Sequence, residues 1–500
     1  MFKVRFEQAD LERFSTASRD RNPLHLSAEY ARKTPYGSCL VFGILATLKA
    51  CANFRDRRGT VISSTAIEFR GPVYVGIDYL VEIQDESSDQ ASLKLSEGGR
   101  LVLKAVWSFC SGYARSLDYA ELGGEYPREP AEWKPENPAE EYSLDGVFAP
   151  ARADFAELLE SYSLTTKGFA PIQVAALMWS SFLVGMHLPG KRATFWRLKL
   201  DFQTADLPAF VPFSYQARTT GFDERLDLLR VAALLSSQGR SFATAEIAAF
   251  VLRDSPVPSV EVLKQLLTEQ NGLQGKRALV IGGSRGLGAA ISQALALQGC
   301  TVFLNYRDST AEAEELKKAV ATAPGRTELV KGDASDIEWC RRLRVDLFSR
   351  VGGLDFLVCN ACPPIRSLSF TADNVSRFQE FVSSSLALMA VPMSVFLESL
   401  NQHSGCNVLI SSAAITTLPA EWPHYVTSKF ALEGLVQWAA VNHKKVHFLL
   451  VRPPKLLTDQ MNTPLGRQGA LRVETAAARI VSRLCCPDLS ASVELLESFN

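Results

Sequence analysis

The stretch KRALVIGGSRGLG, residues 276–288, decides the fold of the second half of this 500-residue chain. A short apolar run leads into closely spaced glycines, and a helix is predicted directly after them, over residues 289–298. The start of a helix offers unpaired N–H groups and a positive dipole end to a phosphate. The stretch therefore predicts a strand, a loop and a helix that bind a dinucleotide pyrophosphate in a doubly wound parallel sheet.

A second stretch, SSAAITTLPAEWPHYVTSK at residues 411–429, supplies groups suited to hydride transfer. If this stretch is helical at its end, Tyr425 and Lys429 lie on one face. Tyrosine ordinarily has a pKa of about 10. To bring this pKa to neutral pH, the lysine and an oxidised nicotinamide would together have to lower it by roughly three units. Ser412 ends the apolar run 407–410, a predicted buried strand, and can direct its hydroxyl at the same reacting oxygen.

Together the two stretches resemble the short-chain dehydrogenases/reductases of the β-ketoacyl reductase type, over residues 276–484. The resemblance implies that Tyr425 donates a proton to a ketone oxygen and that Ser412 hydrogen-bonds the same oxygen. It also implies that Lys429 lowers the tyrosine pKa and binds the nicotinamide ribose. The alternative for this half is a nucleotide-binding fold without turnover.

The same resemblance implies a set of cofactor-binding residues. NAD-preferring members carry an acid after the second strand, where this chain has Asn305, Tyr306 and Arg307. Because no acid stands there and both Arg307 and Arg285 are available, the site should accept a ribose that carries a 2′-phosphate. NADPH is therefore the expected cofactor. The full predicted set is Gly282, Ser284, Arg285, Gly286, Leu287, Gly288, Asn305, Tyr306, Arg307, Asp333, Ala334, Asn360, Ala361 and Thr458.

Three positions depart from that family's pattern. Ser385 stands where many members have an asparagine that feeds a proton-relay water, so it either binds a water or the relay takes another route. Cys362 and Pro454 replace glycines, which predicts a narrower cofactor floor.

The first half of the chain is organised around a turn-forming cluster at residues 18–25, SRDRNPLH. Gly43 then opens an apolar segment with helical spacing at 44–48. Strand-like runs follow at 61–69, 73–83, 91–95 and 101–109, with a hairpin signal at 97–99. One buried helix followed by an antiparallel sheet describes a hotdog fold.

A second unit of the same kind is predicted from residue 169 onward. A buried helix at 169–186 precedes strand-like runs at 193–202, 211–218, 227–235 and 241–252. The cluster of residues 18–25 has no counterpart there, and His187 is predicted to be structural. Because a hotdog buries its helix and pairs its sheet edge with a second copy, we expect a double hotdog with one working site.

The cluster resembles the signature of the MaoC-like (R)-specific hydratases/dehydratases, carried here by Asp20, Asn22, Pro23, His25 and Gly43. The resemblance implies that Asp20 and His25 position a water or the leaving hydroxyl and exchange protons at C2 and C3 of a 3-hydroxyacyl thioester. Gly43 would offer its N–H to the thioester carbonyl, and Asn22 belongs to the same predicted substrate or oxyanion set.

Two departures leave an alternative open for this half. Arg19 and Phe42 stand where the MaoC-like family usually has glycine and histidine. The alternative is a hotdog that binds acyl chains without chemistry.

The predicted fold class is thus an α+β double hotdog followed by an α/β Rossmann-type doubly wound parallel sheet. Five prolines between 116 and 150 predict an extended linker between the two hotdogs. The predicted domains are a first hotdog at 1–115, the linker at 116–149, a second, non-catalytic hotdog at 150–255, a connector at 256–275 and the reductase at 276–500.

Composition limits the partners and the compartment. The net charge of −1 gives no global basic footprint for nucleic acid. The ten cysteines show no paired framework, which predicts a reduced, cytoplasmic setting. No metal site is apparent in the sequence. The start MFKVRFEQADLERF lacks the apolar core of a signal peptide, and the apolar window 169–186 is interrupted by polar residues, so no membrane span is expected.

The two halves fit one pathway. We expect a bifunctional 3-oxoacyl-thioester reductase and (R)-3-hydroxyacyl-thioester dehydratase, acting on substrates carried by an acyl carrier protein or coenzyme A. The alternatives are a reductase with a non-catalytic acyl-binding hotdog, and a degradative hydratase/dehydrogenase. The basic residues Lys191, Arg192, Arg197 and Lys199 either dock an acidic carrier or form the solvated face of a sheet. The apolar segment 431–440 predicts a homodimer or tetramer.

Overall fold

A computed structural model describes residues 1–87, 89–120, 126–133, 141–267, 272–486 and 492–499. The chain divides into two compact units, Met1–Asp254 and Ser255–Asn500.

The first unit combines short helices with long strands. Its helices are α1 Gln8–Ser18, α2 Pro23–Leu26, α3 Ala28–Ala31, α4 Gly43–Cys51, α5 Arg152–Ser161 and α6 Pro171–Phe182. Its strands are β1 Phe2–Arg5, β2 Thr60–Phe69, β3 Asp78–Ser87, β4 Gln90–Glu97, β5 Arg100–Ser111, β6 Asp118–Tyr119, β7 Ser143–Phe148, β8 Ala193–Phe202, β9 Phe210–Val211, β10 Phe213–Asp223, β11 Leu228–Ser237 and β12 Arg240–Val251.

Ten of these strands form one sheet in the order β1-β3-β4-β5-β2-β8-β12-β11-β10-β7. The central pair is β2 with β8, antiparallel, with Thr65 opposite Leu200. The order on one side of that pair repeats on the other side. In each half a buried helix, α4 or α6, precedes the central strand, and the two helices contact each other. A double hotdog has this arrangement of strands and helices. The assignment of the first unit to that fold stays a prediction.

The predicted strands of this unit are largely confirmed, and the run 193–202 coincides with β8. The run 73–83 begins and ends too early, since β3 spans Asp78–Ser87. Gly76 takes a φ of 75° just before it, a turn conformation that ends any extension toward residue 73.

The linker prediction for 116–149 is wrong in part. Asp118–Tyr119 pairs with β9, and Ser143–Phe148 forms the edge strand β7 beside β10. Leu144, Gly146 and Phe148 are less exposed than the residues between them. This period of two shows that one face of the strand is covered while the other faces solvent. The prolines at 135 and 138 lie outside the described residues.

The second unit alternates strands and helices. Its strands are β13 Arg277–Ile281, β14 Thr301–Tyr306, β15 Arg326–Lys331, β16 Phe356–Cys359, β17 Cys406–Ile410, β18 His447–Val451 and β19 Val493–Leu496. Its helices are α7 Val260–Leu266, α8 Gly286–Leu297, α9 Thr310–Ala319, α10 Ile337–Val351, α11 Val375–His403, α12 Ala414–Thr417, α13 Pro423–Asn442, α14 Pro464–Arg467 and α15 Val473–Cys485.

The seven strands form a parallel sheet in the order β15-β14-β13-β16-β17-β18-β19. Along β13, Ala278 and Val280 belong to one buried apolar cluster while Leu279 and Ile281 belong to another, so helices cover both faces. This confirms the predicted doubly wound sheet. The strand order reverses between β13 and β16, and the carboxyl ends of the strands there are where such sheets bind ligands.

Among the described residues, one helix is long and apolar enough to cross a membrane by length and composition alone, at Ala372–His403. It contacts α10, α13 and β16 of the same unit. A core helix of a soluble protein passes the same test, so this is weak evidence. The cytoplasmic location stays a prediction.

Candidate active sites

The structure brings Ser412, Tyr425 and Lys429 together at the carboxyl end of β17. Tyr425 and Lys429 lie near the start of α13, with the lysine Nζ 5.5 Å from the centre of the tyrosine ring. The Ser412 hydroxyl hydrogen-bonds to the Tyr425 phenol and accepts the Ala414 N–H at 3.1 Å. Lys429 is buried and its Nζ donates to the Ile410 carbonyl at 2.8 Å. The predicted geometry for proton transfer to a carbonyl oxygen is therefore present.

The pKa of Tyr425 is subject to opposing influences from the protein's own groups. Burial raises the pKa above its ordinary value, and the nearby Cys362 thiol adds to the rise. The Lys429 charge and the Ser412 hydrogen bond both lower the pKa, as expected. They do not outweigh burial, so the protein's own groups leave the phenol protonated at neutral pH. A protonated phenol is the form that can donate a proton.

The glycines of the loop between β13 and α8 allow its backbone to pack closely at the start of the helix. A Cβ on Gly288 would overlap the Gly282 carbonyl, and a Cβ on Gly282 would lie 3.0 Å from Ala361. Gly282 and Gly286 have φ values of 72° and 53°. The helix α8 begins at Gly286 and presents its first N–H groups at this loop. These residues fit a dinucleotide pyrophosphate.

Two further residues that were predicted to bind the cofactor contact this loop. The Asn360 side-chain amide donates to the Gly282 carbonyl at 3.0 Å. Thr458 lies against the loop, its methyl 3.4 Å from the Cβ that Gly286 lacks. The predicted residues Ser284, Leu287, Tyr306 and Ala334 are all buried.

Both arginines predicted for a 2′-phosphate already have carboxylate partners. Arg285 Nη1 lies 3.1 Å from Asp459 Oδ2. Arg307 pairs with Asp308 at 2.9 Å and with Asp333 at 3.4 Å. Each arginine must exchange a carboxylate for a phosphate if it binds one.

Asn305 does not have the predicted role. Its side chain is buried, and its amide donates to the carbonyls of Val330 and Gly332 at 3.2 and 3.0 Å. These bonds tie the ends of β14 and β15 together, so Asn305 supports the site instead of facing a ribose.

A buried carboxylate, Glu433, was missed by the sequence reasoning. It accepts hydrogen bonds from the Ser411 hydroxyl at 2.5 Å and from Arg452 Nε and Nη2 at 3.0 and 2.7 Å. It thereby joins the strand end next to Ser412, the helix of Tyr425 and the loop after β18. Glu433 lies one helical turn beyond Lys429, which is the signal that would have placed it near the site.

The relay position Ser385 is buried, and its hydroxyl hydrogen-bonds to the Cys362 thiol. Burial raises the pKa of that thiol, while Lys429 lowers it. Ser385 thus has a protein partner within the site. Cys362 lies close enough to Lys429 for the lysine charge to lower the thiol pKa, and close enough to Tyr425 to raise the phenol pKa.

In the first unit, Asp20 is buried, and its contacts come from its own loop and from the segment of α6. Its carboxylate accepts the Ser181 hydroxyl at 2.7 Å and the Asn22 N–H at 3.0 Å. A Cβ on Gly185 would overlap this carboxylate. Ser181 belongs to α6 and Gly185 to the π-helical turn Leu183–His187 that follows it. Burial raises the pKa of Asp20 to about 7, and the two hydrogen bonds oppose this rise.

His25 presents one ring nitrogen to the site. Its Nδ1 lies 2.8 Å from the Leu40 carbonyl, which can only accept a hydrogen bond, so Nδ1 carries the hydrogen and Nε2 the lone pair in the neutral ring. The ring stacks on Phe42 at 3.9 Å between centroids. Burial lowers the pKa of His25 to about 4, so the ring is neutral at pH 7.

Asn22 is committed to structure, contrary to the predicted substrate role. Its side-chain oxygen accepts the Leu24 N–H at 2.9 Å and caps α2, while its amide donates to Gly190 and Gly185 carbonyls at 2.9 and 3.3 Å. Gly43 starts α4, where its N–H has no partner within the helix. A Cβ there would lie 2.5 Å from the Phe69 ring, so this position requires glycine.

The two departures from the MaoC-like pattern have structural explanations. Arg19 has a φ of 60°, the left-handed region where glycine is favoured. Its Nε donates to the Ala149 carbonyl at 2.8 Å and its guanidinium lies 4.0 Å from the centre of the Tyr126 ring. Phe42 supports the His25 ring by stacking.

The basic run of the first unit favours the solvated-face interpretation. Lys191, Arg192, Arg197 and Lys199 pair with Glu132, Asp254, Glu68 and Asp201, respectively. His187 packs edge-on against Phe182 and its pKa is lowered by burial, in keeping with a structural role.

Comparison with known proteins addresses the second unit. The sequence profile described as short chain dehydrogenase matches residues 276–468. The second unit contains a short-chain dehydrogenase. The chain is 28% identical over 232 residues to L-rhamnose 1-dehydrogenase (NADP(+)) of Thermoplasma acidophilum, covering 43% of this chain and 85% of the relative.

The chain is also similar to other proteins. A hydroxynaphthalene reductase-like protein of Metarhizium guizhouense is 28% identical over 207 residues, 39% of this chain and 76% of the relative. General stress protein 39 of Bacillus subtilis is 39% identical over 89 residues, 18% of this chain and 31% of the relative. A short-chain dehydrogenase/reductase from Serratia marcescens is 27% identical with a TM-score of 0.40, covering 45% of this chain and 97% of that structure.

At this level the second unit is an NAD(P)-dependent oxidoreductase of the short-chain dehydrogenase family. The family match begins at residue 276, so it does not extend to the first unit.

Proposed function

We propose that the chain is a bifunctional enzyme that reduces a 3-oxoacyl thioester with NADPH and dehydrates the resulting (R)-3-hydroxyacyl thioester. The observation that carries the proposal is the pairing of two sites. One unit holds a serine, a tyrosine and a lysine at a strand end beside a phosphate cradle. The other holds a buried acid with a raised pKa on the same short segment as a neutral histidine.

In the reductase, a bound reduced nicotinamide supplies the hydride for the carbonyl carbon. Tyr425 donates its phenolic proton to the carbonyl oxygen, which Ser412 also hydrogen-bonds. Lys429, held by the Ile410 carbonyl, stabilises the tyrosinate that remains. Glu433 fixes the strand end and the helix that carry these groups.

In the dehydratase, the opposite pKa shifts of the two residues support opposite roles. Neutral His25 takes the C2 proton at Nε2, because its low pKa keeps that nitrogen unprotonated. Asp20, protonated up to about pH 7, donates its proton to the C3 hydroxyl, which leaves as water as the C3–O bond breaks. The Gly43 N–H faces the developing enolate at a helix start.

NADPH, the carrier and the assembly are parts of the same proposal. Arg285 and Arg307 support a 2′-phosphate, and a relative named for NADP(+) is in keeping with it. The substrate thioester is attached to an acyl carrier protein or coenzyme A, in fatty acid or polyketide-like biosynthesis in the cytoplasm. A homodimer or tetramer is supported by α13, whose Phe430, Trp438 and Val441 are 52%, 60% and 71% exposed.

A second candidate, a reductase with an acyl-binding but non-catalytic first unit, is favoured by one observation. Asn22 is fully used in holding the loop of residues 19–25, so the site has fewer polar groups for substrate than the resemblance implies.

The test is to incubate the purified chain with NADPH and a 3-oxoacyl thioester, on coenzyme A and on an acyl carrier protein, and to follow the acyl mass. We expect a gain of two hydrogens and then a loss of one water. Accumulation of the hydroxy product alone would favour the second candidate, and no reduction on either carrier would refute the proposed substrate class.

A further inference from the structure

Arg285 is held across the cofactor loop by an acid that the proposed function does not use. It is the residue that precedes α8, and its guanidinium lies 3.1 Å from the Asp459 carboxylate. The side chains of Arg285 and Asp459 are 34% and 18% exposed, so this ion pair is less screened by water than most surface pairs.

The segment that carries Asp459 is docked on both sides. Thr458 contacts the glycine loop beside Gly286. The Gln460 side-chain amide donates to the Ile365 carbonyl at 3.2 Å, on the loop after β16. The Ser255 hydroxyl also hydrogen-bonds to the Asp459 carboxylate. Asp459 is therefore a fixed counter-ion, not a freely moving surface acid.

We propose that Asp459 is a specificity-determining residue that competes with the cofactor 2′-phosphate for Arg285. The inference rests on the proposed use of NADPH. A phosphate offers the same paired oxygen geometry to a guanidinium as a carboxylate, with more charge. A ligand with a 2′-phosphate displaces Asp459 from Arg285, while a ligand with a 2′-hydroxyl leaves the pair intact. Asp459 therefore weakens the binding of a cofactor that carries a 2′-phosphate and does not affect the binding of one that lacks it.

The other predicted phosphate ligand is placed differently. Arg307 pairs with Asp308 and Asp333, but its side chain is 65% exposed. Water screens such a pair strongly, so exchanging its carboxylates for a phosphate changes binding little. Among the acids that pair with the two arginines, Asp459 is therefore the one that mainly affects the binding of a 2′-phosphate.

The experiment measures ligand binding without an acyl substrate. Dissociation constants of NADPH, NADH, adenosine 2′,5′-bisphosphate and adenosine 5′-monophosphate are determined by calorimetric titration for the unmutated chain and for Asp459→Asn. We expect Asp459→Asn to bind the two ligands with a 2′-phosphate about two- to five-fold more tightly. Binding of the two ligands without it should not change.

Two controls separate this effect from a general change in the protein. Asp459→Glu keeps a carboxylate and should retain the unmutated pattern. Asp346→Asn removes the acid of another ion pair of similar length, with Arg350 at 3.0 Å, and should change no dissociation constant. Thermal unfolding of each variant checks that the fold is retained.

Equal weakening of all four ligands by Asp459→Asn, or no change in any of them, would overturn the inference. If the unmutated chain binds NADH as tightly as NADPH, the proposed cofactor preference fails instead. The role of Asp459 is then still decided by the difference between the two adenosine ligands.

Discussion

The two candidate sites differ in where their groups come from. In the short-chain dehydrogenase, Ser412, Tyr425 and Lys429 lie within one short stretch, and a strand end and a helix start bring them together. In the first unit, Asp20 and His25 are also close in sequence, but the carboxylate is held by Ser181, which lies 161 residues further along.

This difference shows what sets the chemistry of each site. The tyrosine is tuned by neighbours that its own motif supplies, and burial still raises its pKa. The aspartate is tuned by burial and by a hydrogen bond that Ser181 of α6 donates, and glycine at position 185 leaves space for its carboxylate. The helix α6 and the turn after it are thus part of the site even without catalytic groups of their own.

The largest expected effect is that of Tyr425→Phe. It removes the proton donor, so reduction of a 3-oxoacyl thioester with NADPH should fall by about 10²–10⁴-fold or more. Dehydration of a supplied (R)-3-hydroxyacyl thioester should be unchanged. Absorbance of NADPH and the acyl mass report the two rates. Tyr113→Phe, at a side chain that is 86% exposed, is the matched control, and a parallel loss of dehydration would show that the sites are not independent.

The reciprocal variant combines Asp20→Asn with His25→Ala. Dehydration should fall by about 10²–10⁴-fold while reduction is retained, because only the acid and base of the first unit are removed. The measurement is loss of one water from the hydroxyacyl thioester. Asp145→Asn, at an exposed position of β7, controls for a general charge change. Undiminished dehydration in the double variant would remove these residues from the chemistry.

A smaller effect is expected in the pH dependence of dehydration. The protonated fraction of Asp20 falls as pH rises through about 7, and the neutral fraction of His25 falls as pH falls through about 4. The rate should therefore be highest between these values. Because the Ser181 hydrogen bond lowers the Asp20 pKa, Ser181→Ala should move the alkaline limb to higher pH.

The control for that shift lies next to it on the same helix. The Ser180 hydroxyl donates to the Leu177 carbonyl at 2.7 Å, so Ser180→Ala should leave the profile in place. A rate that rises with pH through 7 would instead make Asp20 the base and reverse the assigned roles.

The smallest effect is expected for Arg19→Gly. Relief of the left-handed backbone should stabilise the protein, while loss of the contacts to Ala149 and Tyr126 should destabilise it. We expect the free energy of unfolding to change by no more than about 1 kcal/mol, measured in urea, with dehydration retained. A large loss of dehydration would make Arg19 a functional group of the site.

Much of the second unit could be predicted from sequence because its groups follow strand ends and helix starts that are visible as patterns. The glycines of 282–288 and the tyrosine–lysine spacing depend only on local geometry. The partners of the charged groups were not predictable in this way. Asp459 beside Arg285, Glu433 beside Arg452 and Ser181 beside Asp20 each join segments that are distant in sequence, and no local pattern encodes such contacts.

The linker error has the same origin. Its prolines predicted an extended chain, yet β7 pairs with β10 because the alternating residues of Ser143–Phe148 fit the sheet edge. Pairing across 65 or more residues is a property of the assembled sheet, with Phe148 opposite Phe213.

The central claim is that one chain carries two separate active sites that act in sequence. Mixing the Tyr425→Phe variant with the Asp20→Asn/His25→Ala variant tests it most directly. Each variant alone, given NADPH and a 3-oxoacyl thioester, should fail to make the enoyl product: the first should leave the substrate unreduced, and the second should stop at the hydroxyacyl thioester. The mixture should form the enoyl thioester. A mixture that stops at the hydroxyacyl thioester, or an Asp20→Asn/His25→Ala variant that forms the enoyl product by itself, would contradict the account.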